Sequence, residues 1–343
     1  MSHFLDPTSE VLSRWLDEHD QKAYRAGQIR RWLFERQARD WQDMTDLPQT
    51  LRSQLSDAFP LWTTQVARHT HSDDGTEKLL LALADGGQIE CVLLRDRARR
   101  TICISTQVGC AMGCVFCASG LDGVDRNLTG GELVEQILRL QHLLDGEERL
   151  SHIVVMGMGE PLANLDALLP VLDLATSTEG LGISTRRITI STVGLPEAIR
   201  RLARENARYR LAVSLHAPND TLRSQIVPVN RSTGLDAILA SADEYFAASG
   251  RQLTFEYVLL AGVNDRPQHA RELARLLKSR EAMLNVIPYN RVPGLPYAAP
   301  SSEARRAFRT ILEQEGIAVK FRHLKGDEIN AACGQLRRSQ NIS

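Results

Sequence analysis

The segment Cys110-Ala111-Met112-Gly113-Cys114-Val115-Phe116-Cys117 puts three thiols in one short loop, with three residues between the first pair and two between the second. A chain carrying it must fold so that the loop wraps an inorganic centre from one side. A structural zinc takes four N or S ligands, whereas a 4Fe–4S cluster held by three cysteines keeps one iron open to a small molecule. Phe116 could shield such a cluster or simply pack. The competing reading is a zinc knuckle that drafts His69 or His71, although neither stands at a zinc-ribbon spacing from the thiols.

Behind this loop the chain alternates strand and helix patterns. Strands are predicted at Thr101–Ser105, His152–Met156, Arg187–Ser191, Arg210–Leu215, Leu253–Leu259, Leu284–Pro288 and Val319–His323. The first intervening helix starts at Thr129, with Glu132 completing a capping box and Leu133, Ile137, Leu140 and Leu144 on one face. Strands joined by helical crossovers imply a parallel sheet wound right-handedly. Ahead of it, residues 65–68, 79–83 and 89–94 read as strands separated by Ser72-Asp73-Asp74-Gly75 and Asp85-Gly86-Gly87, the latter suited to a hairpin. Before those, a small helical unit is expected: a helix opened by Asp6-Pro7 with Val11, Trp15 and Leu16 as its stripe, a second around Ile29, Trp32 and Leu33, and a third through Leu51 and Leu55. The resulting division is 1–62 helical accessory domain, 63–95 β extension, 96–330 core and 331–343 tail.

Small or polar residues gather at the carboxyl ends of the core strands, where α/β enzymes bind ligands. They are Met156 to Pro161, Ser191-Thr192, Ser214-Leu215-His216 and Pro288-Tyr289-Asn290. Each alone reads equally as a turn, a core histidine or a loop cap; on successive strands of one sheet they point to a site. Glu90 is a lone acid on the strand face it shares with Val92 and Leu94, either an exposed edge residue or a base with a raised pKa.

Six cysteines, Cys91, Cys103, Cys110, Cys114, Cys117 and Cys333, are too few and too clustered for a secreted disulfide framework. No apolar run approaches the ~18 residues of a membrane span, and the amino terminus lacks a secretory pattern. A cytoplasmic protein without membrane contact is expected. Positive charge is concentrated at Lys22 to Arg39, at Arg95, Arg97, Arg99 and Arg100, and in the tail at Lys320, Arg322, Lys325, Arg337 and Arg338. Such runs either track a phosphate backbone or are solvated faces.

Gly109 to Cys117, Arg126-Asn127-Leu128, Met156 to Pro161, Ser214 to Asp220, and Gly326-Asp327 through Ala331 to Leu336 together resemble the RlmN/Cfr family of radical S-adenosylmethionine (SAM) enzymes, which methylate adenine carbons in RNA. The resemblance runs from about Tyr24 to Leu336, is weakest before Glu77, and is closer to the RlmN branch than to the carbon-8-specific Cfr branch. It implies an α/β fold, a partial parallel (β/α)6-type radical SAM barrel behind a small N-terminal helical domain. It implies that Cys110, Cys114 and Cys117 ligate a 4Fe–4S cluster, and that Gly159, Glu160, Ser191, Ser214, Leu215, His216 and Asn290 bind SAM. Cys333 would become S-methylated, Cys103 would pair with it in a transient disulfide, and Glu90 would accept a proton. Two SAM per turnover, 23S rRNA and a tRNA as substrates, an electron donor for the cluster and a monomeric chain complete the expectation. Rivals are carbon-8 methylation, a radical SAM enzyme acting on a protein or small molecule, and a zinc-stabilised RNA-binding protein without catalysis.

Overall fold

The computed structural model describes residues 3–205, 207–322 and 329–336. His323, Lys325, Gly326-Asp327, Arg337 and Arg338 lie outside them. The strands are β1 (Gln65–His71), β2 (Glu77–Ala82), β3 (Gln88–Asp96), β4 (Arg99–Cys103), β5 (Gln107–Gly109), β6 (Val124–Asn127), β7 (His152–Val155), β8 (Ile188–Thr192), β9 (Arg210–Ser214), β10 (Leu253–Leu259), β11 (Ala282–Pro288) and β12 (Val319–Phe321). One sheet runs β1-β2-β3-β4-β7-β8-β9-β10-β11-β12, and β5 with β6 forms a separate hairpin. From β4 to β12 neighbouring strands are parallel and each connection carries a helix, so the sheet curls into the expected partial barrel.

The predicted β extension is not set apart from this barrel. β1 to β4 pair antiparallel in succession, and β3 joins the barrel directly through β4. Register then decides which side chains meet. Cys103, Val154, Thr189 and Arg210 stand in one cross-strand row, and Ser214, Glu256, Asn285 and Lys320 in another nearer the carboxyl ends. Side chains alternate with period two, so both rows share the barrel's inner face. Val92 opposite Cys103 brings Glu90, Val92 and Leu94 to that same face. The outer face is apolar: Ile102, Ile153, Ile188, Leu211, Phe255 and Leu284 are buried against the crossover helices.

The N-terminal unit consists of α1 (Val11–Glu18), α2 (Tyr24–Phe34) and α3 (Gln49–Ala58), packed through Leu12, Leu16, Ile29, Leu33, Leu51 and Leu55. The first helix starts later than Asp6-Pro7 suggests. Asp6 Oδ1 instead accepts from Thr8 N (3.0 Å) and Thr8 Oγ1 (2.8 Å), a local turn that competes with helix. The second and third stripes lie where the apolar spacing puts them.

One buried carboxylate ties this unit to the barrel. Glu135, on α4 (Gly130–Gln141), accepts from Thr63 N (2.7 Å) and Oγ1 (2.6 Å), and from Thr64 N (2.9 Å) and Oγ1 (2.6 Å); His3 Nε2 lies at 2.8 Å. Burial alone would raise its pKa, but these partners hold it down to about 2 against an ordinary 4.5. A carboxyl depressed on folding stabilises above its unfolded pKa and loses that contribution as pH falls. Acidification from pH 4.5 toward 2 should therefore remove about 3 kcal/mol from this docking. Glu135→Gln should abolish most of the pH dependence, as read by proteolysis at the 60–65 linker between pH 6 and 3.

Candidate active site

The cysteine loop follows β5 and is fixed from three directions. Cys110 N donates to Gly123 O (2.7 Å), Val115 N to Ile226 O (3.1 Å) and Ala118 N to Gly334 O (2.8 Å). All three thiols line a cavity of about 150 Å³, and Phe116 sits edge-on against His216 with ring centroids 4.9 Å apart. Burial pushes the Cys110 thiol up to about 11 and raises Cys114 and Cys117 as well, with mutual repulsion adding to it. Buried thiols crowded together without a disulfide become thiolates only beside a compensating cation. That fits a cluster. Among the described residues no three His, Cys, Asp or Glu side chains converge as ligands of one ion, which a cubane with three separately ligated irons does not require. His69 is engaged by Glu77 at 2.6 Å on the β1–β2 hairpin, so it does not serve as a fourth ligand.

Opposite the thiols, the same cavity is walled by Gly159, Glu160, Ser191, Ser214, His216 and Asn290. Gly159 has φ +100°, and a Cβ there would come within 2.7 Å of Gln107, so the turn admits only glycine. Glu160 is buried: its N donates to Gln107 Oε1 (2.8 Å), and its carboxylate accepts from Leu162 N (3.0 Å) and Val193 N (2.9 Å). Burial raises its pKa against those donors. His216 adopts φ +60°, uncommon for a side-chain-bearing residue. Val258 N donates to its Nδ1 (3.0 Å), which leaves the proton on Nε2, and burial followed by Arg223 lowers its pKa to about 3. The ring is a neutral donor, not a general acid. Asn290 gives Nδ2 to Cys333 O (3.0 Å) while its buried Oδ1 has no partner, an acceptor left for a bound molecule. Leu215 is different: its side chain is in the hydrophobic core, and only its backbone belongs to this end of the barrel.

A second chamber, about 390 Å³, adjoins the first; Met156, Ile287, Asn290, Arg322 and Cys333 line both. Cys103 lies in this second chamber. Burial, then the neighbouring Cys333, pushes its thiol up to about 12. Arg322 Nη1 approaches Cys333 Sγ at 3.3 Å. The described part of the tail around Cys333 is anchored: Asn290 holds Cys333 O, Ala118 N holds Gly334 O, and Gln335 Nε2 reaches Arg291 O at 3.0 Å. Glu90 stands outside both linings, paired with Lys78 Nζ at 2.8 Å, although it shares the inner face with Cys103.

Three residues escaped the sequence reading. Arg223 is fully buried on the helix Asp220–Ile226 and donates to Leu215 O (3.0 Å), Ser214 O (2.9 Å), Val193 O and Asn230 Oδ1, lacing the ends of β8 and β9 together. Glu256, held by Asn285 Nδ2 at 2.6 Å, faces the first cavity beside Arg322. Gln107 supports Glu160. Asn219 before Asp220 signals the helix that carries Arg223, since it caps Leu222 N at 2.9 Å, but nothing local signals the carbonyls Arg223 serves.

A partial parallel barrel whose carboxyl ends carry three cysteines beside a glycine-walled cavity defines a radical SAM enzyme. Residues 104–277 match the Radical SAM superfamily, and residues 3–60 match the ribosomal RNA large subunit methyltransferase N-terminal domain. The chain is 62% identical over 339 residues to the probable dual-specificity RNA methyltransferase RlmN of Rhodopirellula baltica, covering 99% of this chain and 91% of that protein. It is 44% identical over 329 residues to the corresponding protein of Bacillus licheniformis, covering 96% and 91%. The crystal structure of a radical SAM methyltransferase from Sphaerobacter thermophilus superposes with a TM-score of 0.94 at 44% identity, covering 98% of this chain and 99% of that one. The chain belongs to the RlmN family of radical SAM methyltransferases.

Proposed function

We propose that the enzyme methylates carbon 2 of an adenosine in 23S rRNA and in a tRNA, with Cys333 carrying the methyl group. The observation behind this reading is the position of Cys333 on the common wall of two chambers, one with the cluster thiols and the other with Cys103. Cys110, Cys114 and Cys117 would hold a 4Fe–4S cluster, which when bound beside SAM would supply radical chemistry. Gly159, Glu160, Ser191, Ser214, His216 and Asn290 hold that SAM, with the backbone of Leu215 fixing the strand end.

The cysteines divide the labour. Cys333 would take a methyl group from one SAM by displacement, S-adenosylhomocysteine leaving, and this methyl would then give up a hydrogen atom to the radical that a second SAM would supply. The resulting carbon bonds to adenine C2. Loss of the C2 proton, for which Glu90 is the candidate acceptor, and return of one electron to the oxidised cluster would leave a closed-shell thioether joining Cys333 to the base. Cys103, deprotonated, then bonds to the Cys333 sulfur; the C–S electron pair leaves with the carbon and is protonated, releasing methylated RNA and a disulfide. A cytoplasmic reductant restores the thiols, and a separate electron donor reduces the cluster. The 1–62 unit is an accessory RNA-contacting module, 63–95 an extension of the 96–330 catalytic core, and 331–343 the carrier tail of a monomeric enzyme.

No helix among the described residues is long and apolar enough to cross a membrane. The test is mass spectrometry of nucleosides after reaction of the reconstituted enzyme with unmodified 23S rRNA and tRNA. 2-Methyladenosine in both is expected; 8-methyladenosine in its place would overturn the carbon-2 assignment.

A further inference from the structure

The Cys103–Cys333 chamber has a far end. Followed toward the amino ends of their strands, the inner rows lead from Cys103 to Arg99, from Val154 to His152, from Thr189 to Arg187, from Ser214 to Arg210 and from Arg322 to Lys320. Period-two alternation puts Arg99, His152, Arg210 and Lys320 on the inner face, and Arg187 closes the 3-10 turn Thr185–Arg187 just ahead of β8. Arg99, Lys320 and Arg322 line the chamber itself. Arg99, Arg187 and Arg210 crowd His152, whose pKa falls to about 4 through burial first and these guanidinium groups next, and Arg99 also feels Arg210 and Arg322.

Like charges gathered this way repel unless an anion joins them. Asp96 attracts Arg99 from the rim, but among the described residues Arg99, Arg187, Arg210 and Lys320 form no ion pair. Several cations of the basic runs that stand out in the sequence are, by contrast, neutralised. Arg30 pairs with Glu179 (2.7 Å), Arg36 with Asp46 (3.8 Å), Arg95 with Glu77 and Arg100 with Glu148.

Resting on the reading of this enzyme as an RNA methyltransferase, we propose that this mouth binds the phosphates flanking the target nucleotide. The base then enters from the amino ends of the strands while SAM and the cluster occupy the carboxyl ends. Arg99 and Cys103 are four strand residues apart, roughly 13 Å, so phosphates held at the mouth leave the base projecting toward the sulfurs. The enclosed chamber requires a base taken out of its stack.

The test measures binding of a hairpin RNA carrying the target adenosine to the reconstituted full-length protein over a range of salt. Arg99→Gln/Arg187→Gln/Arg210→Gln should weaken binding roughly 10- to 100-fold and flatten the dependence of log K on log salt by about two, since each lost phosphate contact removes ~0.7. Methyl acquired on Cys333 in the same variant reports that it is folded and holds cofactor; should it fail this check, Arg187→Gln alone should flatten the slope by ~0.7. Arg305→Gln/Arg306→Gln/Arg309→Gln, on the outer helix Ser302–Gln314, removes equal charge and should change neither quantity. Equal losses in both triple variants would overturn the proposal in favour of bulk charge. Unchanged binding and slope in the mouth variant, beside a wild type that methylates the same RNA, would sink this inference alone. A wild type indifferent to RNA would sink the functional reading with it.

Discussion

Cys103→Ala should turn the enzyme into a trap for its own substrate: one round of carbon–carbon bond formation, then a protein–RNA adduct that survives denaturing electrophoresis. The chamber explains the expectation. Cys333 is reached from the SAM cavity on one side and from Cys103 on the other, so deleting Cys103 leaves methyl loading and radical attack possible while removing the sulfur that releases the product. Adduct yield should approach one per active site, with 2-methyladenosine release below one turnover. Cys333→Ala should give no adduct, no methylated protein and no methylated RNA, and the double variant should behave like Cys333→Ala. Normal turnover by Cys103→Ala would refute the disulfide step, and normal turnover by Cys333→Ala would refute the carrier itself.

The resting state of Cys103 fits the proposed order of events. With its pKa pushed up to about 12 by burial and by Cys333, Cys103 is held as the thiol at pH 7. A thiol is a poor nucleophile, so Cys103 does not compete with Cys333 for a methyl group. The proton must leave Cys103 when the adduct has formed, and RNA filling the chamber changes the surroundings that hold it there. Glu90 has the right face but is bound to Lys78, whose Nζ also reaches Asn330 O at 3.1 Å beside the carrier tail. A proton acceptor at Glu90 therefore works through a paired carboxylate whose cation is linked to the segment that bears Cys333.

Local chemistry was readable from the chain. The Thr129–Glu132 capping box forms as its spacing predicts, and apolar periodicity finds each core strand to within a few residues. The three-cysteine loop points to the radical SAM superfamily without any help from the fold. What local patterns miss are partners brought together from far apart. Asp6 has a helix-opening sequence, but its side chain closes a turn on Thr8. Arg95 and Arg100 look as available as Arg99, and only the folded positions of Glu77 and Glu148 distinguish them. Leu215 belongs to a binding motif by sequence while its side chain packs into the core. Glu135 looks like one more surface acid on a helix until Thr63 and Thr64 arrive from the other side of the chain.

Arg223→Met should be among the most damaging substitutions outside the cysteines. Methionine approximates the volume, but four buried acceptors, Leu215 O, Ser214 O, Val193 O and Asn230 Oδ1, lose their donor. Each unsatisfied buried group costs about 1–3 kcal/mol, and allowing for relaxation the total should be at least ~3 kcal/mol. For a chain of this size that corresponds to a fall in Tm of roughly 4 °C. Burial lowers the pKa of Arg223 only to about 10, so the group is cationic at neutral pH and its field acts on both Cys114 and His216. The substitution should accordingly reduce bound iron per chain and weaken SAM binding, because the strained His216 backbone and the Ser214 strand end are held by the same fork. Arg223→Lys should recover part of the iron content but little of the stability, since a single ammonium on a shorter reach cannot serve carbonyls on two strands at once. A methionine variant with unchanged Tm and full iron content would show that these strand ends are held by packing alone.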